Sequence, residues 1–124
     1  MAIVNSYKEL IVWQKSIVLV SKVYSLTKKF PNDERYGLVS QLNRASVSIP
    51  ANIAEGWGRE SRKNYVQFLR ISRGSLFESE TLLIFSANEG FIIPESFKEI
   101  SIYTDEVSRM IVSMIKKLED NTDN

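Results

Sequence analysis

The chain has 124 residues, 44% apolar and 25% charged, with sixteen basic against fifteen acidic side chains and neither cysteine nor histidine. A chain of that size buries about two thirds of its unfolded surface, so one domain can form a core without metal or crosslink. The composition excludes disulfides, thiolate chemistry and the usual imidazole base, and the near-neutral charge gives no global reason to expect a polyanionic partner.

No apolar run approaches the roughly 20 residues of a membrane span, and the first residues lack the basic, apolar, small-residue order of a signal peptide. The expectation is a cytoplasmic protein with no membrane partner. Charge is unevenly spread: residues 1–30 carry five lysines against Glu9, whereas residues 94–124 carry four bases against seven acids. That predicts a basic flank and an acidic one, able to match each other between subunits or to meet RNA.

The first helical pattern runs from about residue 8 to 29, with Ser6 as N-cap and a stop at Phe30-Pro31, because the residue before proline avoids the helical region. Leu10, Trp13, Ile17, Val20 and Tyr24 form one apolar seam, and Val12, Leu19, Val23 and Leu26 form a second. Together they exceed what one small bundle hides. Lys8, Lys15, Lys22 and Lys29 recur every seven residues and so share one side of the helix. They read either as a ladder for phosphates, with cations about 10 Å apart, or as a solvated stripe whose stems cover apolar neighbours.

The second pattern runs from 33 to 55 and puts Leu38, Leu42, Ala45, Ile49 and Ile53 on one face. A second row, Gln41, Arg44, Ser48, Asn52 and Glu55, is wholly polar. Tyr36, Val39, Val47, Ala54 and Trp57 make a further apolar side, which is expected to be covered by another subunit. Pro50 lacks an N–H, and its ring collides with the carbonyl of Ser46 at a cost of about 3 kcal/mol in a helix interior. Continuity of the apolar stripe favours a kink at Pro50 over a break at Ser48 or Ile49.

Gly56-Trp57-Gly58 ends this helix, and Ser61 caps the next, over 62–89. Arg59, Arg62, Lys63, Arg70 and Arg73 concentrate positive charge there, and Trp57, Tyr65 and Phe68 supply aromatic faces. Cations on phosphates with rings on unpaired bases would make a nucleic-acid site; the competing reading is core aromatics with solvated or paired arginines. Gly74 inside the helix predicts a closely approaching backbone. Gly90 is its C-cap, with Phe91 folding back on Phe85.

Glu78 falls on an apolar row with Ile71, Ser75, Leu82 and Phe85, so it calls for a partner, and Arg44 is the expected one, joined by Glu55. Gln41, Arg44, Asn52, Glu55 and Glu78 are thus predicted to form a polar network that fixes helix register. Paired carboxylates could also do acid–base work or hold a divalent ion, but helical di-iron sites use Glu-x-x-His, and histidine is absent. The last helix starts at Pro94 and runs to about 119, with Phe97, Ile100, Thr104, Val107, Ile111, Met114 and Leu118 as its seam. Residues 120–124 carry no pattern and are expected to fray.

Four helices with short connections predict an all-α fold, an antiparallel up-down-up-down four-helix bundle in one domain. Glu34-Arg35-Tyr36-Gly37-Leu38, Gln41-Leu42-Asn43-Arg44-Ala45, Ser48 to Gly56, and Gly74-Ser75-Leu76-Phe77-Glu78 resemble the four-helix-bundle family encoded in 23S ribosomal RNA intervening sequences. The resemblance extends from about Val12 to Gly90. It implies a homo-oligomeric ring, a homopentamer, with no enzymatic activity and no cofactor. A more distant similarity is to the accessory subunit of diversity-generating retroelements, which binds nucleic acid and a reverse transcriptase. Two functions follow as expectations: binding of structured or ribosomal RNA, or a protein-interaction scaffold with an unidentified protein partner.

Overall fold

The structure, a computed structural model, describes residues 4–120. Of the predicted fraying segment, residues 121–124 lie outside that range. Four α-helices follow in order, α1 (Ile11–Thr27), α2 (Leu38–Trp57), α3 (Arg62–Asn88) and α4 (Pro94–Asp120), with short 3-10 turns at Tyr7–Glu9 and Asn32–Glu34.

Pairings along the helices fix the topology. Thr27 Oγ1 lies 3.0 Å from Asn43 Oδ1, and at the opposite end of the pair the ring of Tyr7 is 6.3 Å from that of Trp57, so α1 and α2 run antiparallel. Gln41 with Glu78 and Ser48 with Ser75 make α2 and α3 antiparallel. Lys15 with Glu106 and Lys22 with Glu99 do the same for α1 and α4. The result is the expected up-down bundle, with Leu19, Leu42, Ile49, Ile53, Leu69 and Ile111 fully buried at its centre.

Both of the first two α-helices start later than their spacing suggests. Ser6 accepts from the Lys8 N–H, but it caps only the 3-10 turn, because Leu10 is extended at φ −69°, ψ 125° before α1 begins. Likewise Asn32–Glu34 forms a 3-10 turn, and Gly37 separates it from α2. A three-residue turn and an α-helix put side chains at such similar spacing that sequence alone does not part them.

α2 passes through Pro50 without a break. The carbonyls beside the proline receive extra donors: Asn52 Nδ2 to Ser48 O at 2.8 Å and Ser72 Oγ to Ile49 O at 2.8 Å. These bonds tie the turn around Pro50 to its own helix and to α3, while the carbonyl that the missing N–H leaves without its helical donor is that of Ser46.

Gly90 adopts φ 80°, and the N–H groups of Gly90 and Phe91 donate to Ala87 O and Ser86 O at 3.0 and 2.9 Å, a Schellman end. Phe91 does not fold onto Phe85, which stays 51% exposed. It packs instead on Phe30, centroids 5.7 Å apart, because the α1–α2 and α3–α4 connections share one end of the bundle.

The expected close approach at Gly74 is absent, since a Cβ there would meet nothing within 4 Å. Gly56 is where backbones crowd, with Phe68 Cβ 2.9 Å and Tyr65 O 3.2 Å from the Cβ position. α2 and α3 close on each other through this glycine and through Ser48, Ser72 and Ser75.

Candidate nucleic-acid interface

The basic residues do not form one continuous track. Of the seven-residue lysine ladder, Lys15 is paired with Glu106 at 3.0 Å and Lys22 with Glu99 at 3.2 Å. The Lys22 ammonium also sits 4.6 Å from the centre of the Tyr103 ring, and its bond to Glu99 holds its pKa above the ordinary lysine value. The basic flank of α1 and the acidic flank of α4 thus meet inside one protomer. Lys8 and Lys29 remain exposed at opposite ends of the bundle, too far apart to serve one short ligand.

At the end where α2 hands over to α3, positive charge does collect. Ser61 accepts from the Asn64 N–H and starts α3 there, so Arg62 and Lys63 stand exposed in its first turn. Arg59 lies over Phe68 at 4.6 Å and 3.8 Å from Glu55. Two turns into α3, Arg70 pairs with Glu119 of α4. A shallow groove of about 560 Å³ runs among Arg62, Lys63, Asn64, Gln67, Arg70 and Glu119.

Because α4 is antiparallel to α3, its closing turns come to the same end. They bring exposed Lys116 and Lys117, with exposed Arg109 two turns earlier, which the acidic reading of the last segment passed over. Arg109 and Lys117 flank a second groove of about 350 Å³ floored by Leu10, Ile11, Met110 and Met114. The missed signal was positional: Lys116 and Lys117 lie late in the segment, whereas most of its acids lie early. Arg73 is half-buried farther along α3 and does not join the cluster.

The aromatic rings are spent in packing. Trp57 is edge-on to Tyr7, which is edge-on to Trp13 at 5.3 Å. The Tyr65 hydroxyl lies 3.9 Å from Met114 Sδ, and burial pushes its pKa up to about 12. Phe68 lies beneath Arg59. All three are half-buried and already in contact within the protomer, which turns the site toward phosphate contacts rather than stacking.

The predicted register network is corrected in its members. Glu78 is exposed and accepts from Gln41 Nε2 at 3.3 Å; no bond joins it to Arg44, which is also exposed, and Glu55 pairs with Arg59. Gln41 and Glu78 do link α2 to α3 as expected, and Asn52 donates at 2.8 Å to Ser48 Oγ, which lies 2.9 Å from Ser75 Oγ. Hydroxyls therefore share the α2–α3 register with the exposed Gln41–Glu78 bond, where a buried pair of Glu78 with Arg44 was expected. Among the described residues no group of three or more acidic side chains could hold a metal ion.

On the remaining apolar side of α2, Tyr36 is 88% and Val47 43% exposed, while Val39, Ala54 and Trp57 are half-buried against the protomer's own core or turns. α1 adds Ile17 and Tyr24 beside them, each 39% exposed.

Residues 8–113 match the family described as 23S rRNA-intervening sequence protein. The chain belongs to that family. Among solved structures it is similar to a protein of unknown function from the S23 ribosomal protein family of Bacteroides thetaiotaomicron. The two share 26% identity and a TM-score of 0.80, over 86% of this chain and 99% of that one. No curated protein matches. Family membership and the bundle agree with each other, and no helix among the described residues is long and apolar enough to cross a membrane.

Proposed function

We propose that the protein is a non-enzymatic, self-associating member of its family that binds structured RNA through the basic end of the bundle. The observation that carries this is the gathering of exposed Arg59, Arg62, Lys63, Lys116 and Lys117 around the start of α3 and the finish of α4. A bundle end of that kind contacts phosphates without reading bases, which suits folded RNA better than single strands. One such end binds weakly. Copies joined through the α1–α2 outer face, in the ring of five that the family resemblance implies, would present several ends at once and gain avidity without any new contact.

The test is filter retention of a structured ribosomal RNA fragment by the full chain across a salt series. Affinity should fall steeply with salt, and changing Arg59, Arg62 and Lys63 together to Ala should weaken it at least about tenfold while flattening the salt slope. Absence of retention at low salt, or equal retention by the triple variant, overturns the reading.

A second reading is favoured by the inward-turned Trp57, Tyr65 and Phe68 together with the apolar face of Ile17, Tyr24, Tyr36 and Val47. In it the assembly is a scaffold for another protein. RNA would then fail to compete with that protein, which would be captured at fixed stoichiometry.

A further inference from the structure

α3 turns Leu69, Ser72, Leu76, Ser79 and Leu83 into the core. At about 100° per residue, Gly74 lies diametrically opposite that row, at the outermost line of the helix. Glycine there costs the isolated helix about 1 kcal/mol relative to alanine, yet a Cβ would meet nothing within 4 Å. Nothing within the protomer requires it.

Exposed apolar side chains flank this bare spot, interspersed with exposed Gln67, Arg70, Glu78 and Thr81. Ile71 is 43% exposed, Phe77 49% and Phe85 51%. Scattered apolar surface residues need no explanation, but a cluster on one helix face does. Just beyond the innermost pair stand opposite charges, Arg70 four residues before Gly74 and Glu78 four residues after it.

That order is self-complementary when reversed. Turning a second copy end for end about Gly74 sets Arg70 and Ile71 of one copy at the height of Phe77 and Glu78 of the other, and symmetry repeats the match on the far side. A parallel pairing would instead bring Arg70 level with Arg70 and Glu78 with Glu78, which like charge disfavours. Glu78 has spare acceptor capacity, because Gln41 at 3.3 Å is its partner in the protomer. Arg70 holds Glu119, and a guanidinium has donors enough for a second carboxylate.

We propose that two copies of the chain pair across α3 in an antiparallel, isologous contact centred on Gly74, with the missing side chain letting the two backbones approach. The surface is separate from the α1–α2 face, and the pairing needs neither RNA nor the ring.

The chain has no cysteine, so Gly74→Cys places one thiol per copy on the symmetry axis. Mild oxidation of the purified full-length variant, free of RNA, should give a covalent dimer at least about tenfold faster than Asn88→Cys, whose thiols on the same outer face would lie far apart in the pair. In the Gly74→Cys background, Arg70→Glu or Glu78→Arg should each slow crosslinking about tenfold, and the two together should restore it. Val47→Asp, aimed at the α1–α2 face, should leave it unchanged. Equal rates at positions 74 and 88, or no recovery in the double reversal, overturn the pairing. Gly74→Leu gives a check without a thiol: the protomer keeps or raises its melting temperature, and the sedimenting mass attributable to the pair is lost.

Discussion

Phe68 Cβ stands 2.9 Å from where a Cβ on Gly56 would lie, so glycine at this point of α2 is what allows α3 to sit against it. The clashing atom is bonded directly to the α3 backbone and cannot swing aside, and Tyr65 O at 3.2 Å blocks the other direction. Gly56→Ala should therefore destabilise the fold by about 1–2 kcal/mol, since overpacking outweighs the gain in helix propensity. Thermal melting checks it, and an unchanged or raised midpoint would refute the packing argument.

Gly74→Ala is the matched contrast. With open space at its Cβ, the substitution should raise protomer stability by up to about 1 kcal/mol. Two glycines in neighbouring helices should thus respond with opposite signs in the same melting experiment.

Among the described residues seven hydroxyl side chains are buried, and Ser72, like Thr27 with Asn43, reaches across helices, donating to Ile49 O at 2.8 Å. Ser79 donates within its own helix, to Ser75 O at 2.9 Å. Removing the Ser72 hydroxyl should cost about 1 kcal/mol, whereas Ser79→Ala should be close to neutral, the lost bond offset by better helix propensity. Chemical denaturation of the two variants decides it; equal losses would mean that the bridge to α2 adds nothing.

Tyr65 supplies an alkaline signature. Its phenol is held neutral by burial, with a pKa of about 12 against 10.0 in the open chain. A folded pKa above the unfolded one gives stability that is whole below the lower value and lost as pH rises through the upper. Between about pH 9 and 11.5, Tyr65→Phe should lose less melting temperature than the parent chain. Parallel curves would contradict this assignment.

Glu80 offers a test at the other end of the scale. Partial burial, then repulsion from Asp105, raises its pKa above the ordinary 4.5. The folded carboxyl keeps its proton longer than the unfolded one, so stability from this group declines as pH climbs through the window just above 4.5 and stays lost at neutrality. Glu80→Gln should be more stable at neutral pH by less than about 1 kcal/mol, because solvent screens the repulsion, and the gain should vanish in acid.

Much of the bundle was legible because its punctuation is local. Ser61, Gly90 and Pro94 act through bonds to residues within a turn or two, and each ended or began a helix where the sequence placed it. The stripe from Leu38 to Ile53 likewise outweighed Pro50. What escaped depended on distant parts of the chain. Nothing near Gly56 or Gly74 says which helix will lean on it, and a drift of one position around α3 moved Glu78 from a buried row to the surface. The lysine ladder was visible, but its carboxylate partners on α4 were not assignable, nor was the arrival of Lys116 and Lys117 at the same end of the bundle as Arg62 and Lys63.

The ion pairs that join α1 to α4 carry a kinetic implication. Lys22 is bonded to Glu99, 77 residues later in the chain. While the polypeptide is being made, the first three helices emerge with the fourth wall of the core still inside the ribosome. Leu19 and Val23 then lack their cover until Glu99 and Glu106 are outside. That interval is when a newly made chain is most open to aggregation and to chaperones, and slowing translation ahead of α4 should lengthen it.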